Sequence, residues 1–439
     1  MIEGADMKYL FEHADILLTE ENGFSELNNA YLAVDGKKIS YIGKERPSGE
    51  FDVVKDFTGK LLMPGLINTH CHAPMVMLRG IGSDLPLQEW LFEKMMPVED
   101  RFNAKTIRFA SELALLEMIS TGTTSFSDMY FFCPSTAEAC IEAGIKANIC
   151  RPMQSFDPAD NYETMYRKLE ADELYNSYNG AGDGRILIDD SIHAEYTCRE
   201  DIVRAHSLVA KERGTRMHIH LSETKKEHEE CIQKYGKTPA RWFADLGAFD
   251  LPAFAAHCVW ISDEDIALLA EKGVSAVHNP SSNMKLGSGF APIVKMQKAG
   301  INITLGTDGA ASNNNLNMFE ELHIASIIHN GYMLDPTVVK CTDTLRMATI
   351  NGAKLQGRPD TGALKVGNCA DIIAIDMDKP HLFPNNDTVA LLCYSAQGSD
   401  VCMNMVDGKI LYENGEYLTI DREKVLFNAR AAKKELLGY

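Results

Sequence analysis

A chain of 439 residues with 45% hydrophobic content is long enough for one large catalytic domain and a smaller second one. Its 43 basic and 62 acidic residues give a net charge of −19, which repels a phosphate backbone or an anionic membrane surface and argues against nucleic acid and membrane as partners. The 11 cysteines are odd in number and contain no C-x-x-C pair, which excludes a disulfide framework or a thiolate zinc site in favour of reduced, buried thiols.

In chain order, Met1 to Met7 carries no pattern and reads as a frayed terminus. No charged n-region precedes an apolar h-region, and no apolar run is long enough to span a bilayer, so a soluble cytoplasmic protein is expected. Residues 8–58 read as short strands with a hairpin signal at Asp35-Gly36. Residues 370–420 read the same way, with Asp407-Gly408 and Asn414-Gly415 between β-rich runs. The two ends are therefore expected to build one small β domain from residues 1–60 and 367–439, with a helix at the C-terminal end.

Between these flanks, short apolar or β-branched runs alternate with longer segments of helical periodicity. The runs are residues 62–70, 123–127, 147–153, 186–193, 217–222, 253–259, 274–278 and 301–307. A helix is expected after Asn103 as N-cap, with Phe109, Leu113 and Leu116 recurring on one face. Eight βα repeats predict an α/β fold class and a (β/α)8 TIM-like barrel over residues 61–366. The alternative, an open doubly wound sheet, would want a Gly-rich dinucleotide loop, which the sequence lacks.

A barrel of this kind places catalytic groups at the C-terminal ends of its strands. That is where the histidines fall: His70 and His72 on the first strand, His193 on the fourth, His218 and His220 on the fifth, His257 on the sixth, His278 on the seventh, with Asp308 on the eighth. Residues two apart on a strand share a face, so His70 and His72 can reach one ion. His70, His72, His220 and Asp308 are the expected ligands of one divalent ion, a nitrogen and oxygen set that suits Zn²⁺ first and Fe²⁺ second. Such an ion lowers the pKa of its water to roughly 7. Glu223 is placed to shuttle a proton, Asp308 to accept one from the water, and His257 to orient the attacking group. His218 and His278 are read as core histidines, His218 bonded behind the ligands, and Cys71 and Cys258 as packing residues.

Five segments carry a resemblance: Met63-Pro-Gly-Leu-Ile-Asn-Thr-His-Cys-His72, His218-Ile-His-Leu-Ser-Glu223, Ala255-Ala-His-Cys-Val259, His278-Asn-Pro-Ser-Ser-Asn283 and Gly306-Thr-Asp-Gly-Ala-Ala-Ser-Asn-Asn314. They resemble the amidohydrolase superfamily and, within it, the 5-methylthioadenosine/S-adenosylhomocysteine deaminases; the segment 362–376 is similar to that superfamily's return into a small β-sandwich. The resemblance implies hydrolytic deamination of 5′-methylthioadenosine, S-adenosylhomocysteine, adenosine or 5′-deoxyadenosine to the inosine analogue and ammonia. It also implies that Trp90 packs on the nucleoside, Glu99 accepts from both ribose hydroxyls, His193 donates to adenine N3, and Arg151 lies near the 5′ substituent. Relatives that bind an amino-acid tail use a second arginine after the third strand; the segment 157–174 offers Arg167. With Arg151 alone at the matching position, methylthioadenosine or adenosine is expected to match or exceed S-adenosylhomocysteine as substrate. Guanine deamination, s-triazine dechlorination and a non-catalytic scaffold are the competing readings, and a homo-oligomer is compatible with all of them. Zinc deaminases with an H-x-E…P-C-x-x-C signature are excluded, because the sequence lacks it.

Overall fold

The computed structural model describes residues 7–438; residues 1–6, and with them nearly all of the expected frayed terminus, lie outside the described residues, as does Tyr439. The two ends of the chain meet in one nine-stranded sheet. Lys60–Pro64 joins them, pairing in parallel with Lys8–Glu20 and antiparallel with Ile372–Asp376. The three turn signals all lie at hairpins: Asp35 pairs with Lys38, Val406 with Lys409, and Glu413 with Glu416. Asp407 and Asn414 adopt φ of +47° and +48°, the left-handed values that tight hairpin turns demand. Phe11, Ile16, Leu32, Leu62, Ile372 and Met403 are fully buried in the core this sheet shares.

The remaining strands pair only in parallel: Leu66–Cys71, Thr123–Met129, Lys146–Cys150 with Pro152–Met153, Ile186–Ile188 with Asp190–Ile192, Met217–Leu221, Ala253–His257, Ser275–His278 and Ile303–Leu305. The third and fourth are each broken at one residue, so their first halves belong to a four-stranded sheet and their second halves to a six-stranded one. A helix follows each strand position, from Ala104–Ser120 after the first to Met318–Met333 after the last. This is an α/β fold. The last strand reaches back to the first through Thr69 Oγ1, which donates to Leu305 O at 2.8 Å, and through Asp308 N, which donates to His70 O at 2.9 Å.

One sequence expectation needs correction and another needs detail. The run 62–70 is not one strand: it divides at Gly65, with Lys60–Pro64 in the terminal sheet and Leu66–Cys71 in the parallel set. Both halves are buried, so periodicity cannot see the hand-over. Gly65 permits it, since a Cβ there would collide with the Thr124 side chain. The helix Ala104–Ser120 does start at Asn103, whose Oδ1 accepts from Thr106 N at 3.1 Å. Of the three residues named from the sequence Leu116 is buried and Phe109 and Leu113 are half-buried, beside a fully buried stripe of Ile107, Ala110, Ala114, Leu115 and Met118. Three neighbours cover this helix: the turn Ala73–Leu78, the helix Cys133–Ala143 and the terminal helix Arg422–Leu437. The terminal helix thus packs on the parallel-strand region, with Ala429, Ala432 and Leu436 in its core. Among the described residues no helix is long and apolar enough to cross a membrane.

Candidate metal centre and nucleoside cavity

The ends of the parallel strands converge on one histidine cluster. His72 Nε2 stands 3.2 Å from Asp308 Oδ1, His70 Nε2 3.4 Å from the same oxygen, and His220 Nε2 3.3 Å from His72 Nε2. The ligand-capable atoms of His70, His72 and His220 lie within 4.8 Å of one another, as do those of His70, His257 and Asp308.

Each ring is held from behind. His72 Nδ1 donates to Met129 O at 2.5 Å and His220 Nδ1 to His193 O at 2.8 Å, which fixes both tautomers and leaves the Nε2 lone pairs facing inward. His70 Nδ1 meets His218 Nε2 at 2.9 Å, and His257 Nδ1 meets Asn283 Oδ1 at 2.9 Å. His218 thus lies behind a candidate ligand, and buried His278 meets His329 at 3.2 Å in the core; both follow the sequence reading. Cys71 and Cys258 are fully buried.

These residues fit a divalent cation. His70 Nε2 is buried and makes no hydrogen bond, and three inward imidazole lone pairs converge beside one carboxylate oxygen. Asp308 Oδ2 accepts from Ser282 Oγ and Ser312 Oγ at 2.6 Å each, which leaves Oδ1 to face the rings. The field favours positive charge: burial works against a proton on His72, yet Asp308 prevails and raises it to about 9. Burial drops His70 to about 4 and holds His220 well below its usual value, so both imidazoles stay neutral.

The backbone explains the motifs. Ser222, His257 and Asp308 adopt φ of +47°, +73° and +61° where their strands end, conformations that cost about 1–3 kcal/mol each and concentrate at functional sites. Gly306 and Gly309 flank Asp308 because it presses on the first strand: a Cβ at Gly306 would lie 2.9 Å from the His70 Cβ, and one at Gly309 2.8 Å from Met75 Sδ.

A cavity of about 340 Å³ opens above the cluster, lined by His72, His193, His220, Glu223 and Asp308. His70 and His257 are buried. Glu223 Oε2 lies 3.7 Å from His257 Nε2, and burial raises the Glu223 carboxyl above its ordinary range. Farther along the same cavity are Trp90, Glu99 and Arg151, so every nucleoside-contact residue named from the sequence lines this one space. Trp90 begins the π-helical turn Trp90–Met95, and its indole N–H has no partner. Glu99 accepts from the Tyr130 hydroxyl at 2.6 Å, and burial raises its carboxyl. His193 Nδ1 meets Thr197 Oγ1 at 3.1 Å; burial, then the charges of His72 and His70, lower it to about 3. Arg151 Nε donates to Glu170 at 2.6 Å.

Sequence reasoning undervalued Arg167, which lines this cavity with its guanidinium 4.5 Å from the Tyr166 ring centroid and its Nε buried without a partner. Tyr130 and Gln154 were missed, although each follows the end of a parallel strand where site residues are expected.

The amidohydrolase family matches residues 61–411 of this chain, most of its length. The chain belongs to the amidohydrolase family. This amidohydrolase is 44% identical over 433 residues to the 5-methylthioadenosine/S-adenosylhomocysteine deaminase of Thermoanaerobacter pseudethanolicus, a match spanning 98% of this chain and 100% of the relative. It is 42% identical over 422 residues to the 5′-deoxyadenosine deaminase of Methanosarcina acetivorans, spanning 96% and 97%. Among solved structures it superposes with a TM-score of 0.92 on an adenosine deaminase from Xanthomonas campestris with bound zinc, at 30% identity over 98% of this chain and 99% of the other.

Proposed function

We propose that this amidohydrolase hydrolytically deaminates adenine nucleosides, with 5′-methylthioadenosine, S-adenosylhomocysteine, adenosine and 5′-deoxyadenosine as the substrate class and the inosine analogue plus ammonia as products. The observation that carries this is a single cavity with the buried Glu223 carboxyl at its metal end and Trp90 with Glu99 along its wall. A flat base suits the indole, and a ribose diol presents two donors to one carboxylate.

His70, His72, His220 and Asp308 would hold one divalent ion, Zn²⁺ before Fe²⁺, which when bound acidifies water and polarises the group under attack. Around it the side chains manage protons. Glu223, whose carboxyl burial raises, delivers a proton to purine N1 as the water oxygen bonds to C6. Asp308 takes one proton from that water and passes it to the exocyclic amine, the C6–N bond breaks and ammonia leaves. The second water proton restores Glu223. His257, anchored by Asn283, orients the water. His193, neutral through burial, keeps Nε2 available for N3.

The same reading makes the eight parallel strands a closed (β/α)8 barrel, supported by the Asp308 to His70 backbone bond between last and first strands. It makes the terminal sheet a small β-sandwich from residues 1–60 and 367–439, with the junction falling at Gly65. A small-molecule substrate in the cytoplasm, without nucleic-acid or membrane partners, accords with the charge of −19.

Ammonia release from a panel of adenine nucleosides, adenine, guanine and s-triazines tests the proposal. Turnover of the nucleosides alone is expected; turnover of guanine or a triazine without any nucleoside would overturn it.

A further inference from the structure

Two buried carboxyl groups beside the site take no part in the chemistry above. Glu195 opens the short turn Glu195–Thr197 that follows the His193 strand, and Glu227 lies in the first turn of the helix Lys225–Tyr235 that follows Glu223. They are 2% and 4% exposed, and the turn packs against the helix. Both stand behind the cavity wall; from these loops it is His193, Tyr196 and Glu223 that face the cavity.

Glu227 Oε2 accepts the backbone N–H of Glu223 at 2.9 Å and that of Thr224 at 3.3 Å. The longer bond completes an ordinary capping box with Thr224. The shorter one lies outside the cap and falls on the residue whose side chain enters the cavity. A restraint is needed there, because Ser222 just before it is left-handed, at φ +47°.

The other oxygens pose a question of protons. Among the described residues, no donor meets either oxygen of Glu195 or Oε1 of Glu227. Two ionised carboxylates can only accept, and in a buried place they repel; one retained proton lets either group donate to the other. Burial, then the Glu227 charge, pushes Glu195 well above the usual carboxyl range. Burial, then Glu223, lifts Glu227 to about 7.

We infer that Glu195 and Glu227 form a proton-sharing carboxyl pair that positions Glu223, tying the loop that carries it to the loop that follows His193. The inference rests on the reading of Glu223 as the proton carrier. The pair touches no substrate atom and acts through the aim of the Glu223 carboxyl, so its loss should appear in kcat rather than in KM.

The test uses the full chain loaded with its metal and the nucleoside it turns over fastest. Glu227→Ala should lower kcat by about 10- to 100-fold, with KM within about threefold and metal content unchanged. Glu227→Gln still accepts the Glu223 N–H and can donate to Glu195, so kcat should return to within about threefold of the parent. Adding Glu227→Ala to Glu223→Gln should lower kcat by less than about threefold more, since both changes act on one group. Parental kcat in Glu227→Ala, a Gln variant as slow as the Ala variant, or full additivity on the Glu223→Gln background would each overturn the inference. Should Glu227→Ala not fold, Glu195→Leu carries the same test, because it removes the proton partner and leaves Glu227 on the Glu223 amide; unchanged kcat there overturns it too. A fully active Glu223→Gln removes the reading of Glu223 and this inference with it, whereas a slow Glu223→Gln beside a fast Glu227→Ala removes the inference alone.

Discussion

At the metal end of the cavity the polar side chains stand at or just past strand ends and the outer nitrogen of each candidate imidazole ligand is fixed, whereas toward the opposite end Trp90, Glu99 and Arg167 come from the segments 87–102 and 154–170, and the Trp90 indole N–H and Arg167 Nε have no partner. His72 and His220 are braced by backbone carbonyls of neighbouring strands. Arg151, at the break in the third strand, donates to Pro152 O and to Glu170, a half-buried residue of the helix Tyr166–Tyr178, while Arg167 Nε is left without a partner. The difference separates two tasks. Groups that must sit within a few tenths of an ångström of one another belong on strand ends, while loop positions can be altered without disturbing them.

The sharpest way to break this comparison is at its rigid end. His70→Ala with His72→Ala removes two of the four expected ligands, so metal content should fall from about one ion per chain to near zero and deaminase activity should fall to background. Elemental analysis beside an ammonia assay checks it; full metal retention would dissolve the distinction between the two ends. Glu223→Gln probes the same end more gently. It keeps the shape and removes the acid, so kcat should drop by at least ~10²-fold at unchanged metal content. Near-parental turnover would take Glu223 out of the reaction and favour a substrate that needs no ring nitrogen protonated.

The two ends also differed in how far the sequence revealed them. The histidines could be placed because strand alternation and strand-end position both limit where a side chain points, and His70, His72, His220 and Asp308 satisfied both limits at once. The turn dipeptides were readable for a similar reason, since a two-residue hairpin demands left-handed residues such as Asn414. Gly65 was opaque because the strand leaves one sheet for another with no change in hydrophobicity. Arg167 was undervalued because its position depends on how the loop after the third strand folds, which no periodicity encodes. The Glu195 and Glu227 pair was invisible for the opposite reason: two glutamates 32 positions apart look like solvated surface charge until tertiary structure buries them together.

Glu99 lies between the extremes, on a short helix yet buried against Tyr130. A carboxylate that accepts two ribose hydroxyls is left buried and underpaired when the sugar is missing, so adenine should be rejected more strongly than lost contact area implies. Glu99→Ala should lower kcat/KM for adenosine by about 10- to 100-fold and narrow the gap between adenosine and adenine. Equal turnover of adenine and adenosine by the parent enzyme would refute the ribose role and leave the loop end without a nucleoside function.

The smallest effect belongs at the far end, where the structure adds Arg167 to the cavity wall beside Arg151. Arg151 alone was expected near the 5′ substituent, and on that basis S-adenosylhomocysteine would be no better a substrate than methylthioadenosine. Arg167 shares the cavity, and its Nε has no partner, whereas Arg151 already pairs with Glu170 at 2.6 Å. Burial, with the Arg151 charge also opposing the proton, lowers the Arg167 guanidinium from its usual value, a strain that an incoming anion relieves. Two guanidinium groups, with Glu170 and Asp160 near them, can pair with the carboxylate of a homocysteine tail and offer nothing to a methylthio group. S-adenosylhomocysteine should therefore equal or exceed methylthioadenosine in kcat/KM. Arg167→Met keeps the apolar stem and removes the charge, so it should lower kcat/KM for S-adenosylhomocysteine by about tenfold, roughly 1.4 kcal/mol, through KM. Methylthioadenosine should change by less than about threefold, since its 5′ group carries no charge to lose a partner. Equal losses on both substrates would mean that Arg167 supports the loop rather than the tail, and the flexible end would then read size alone.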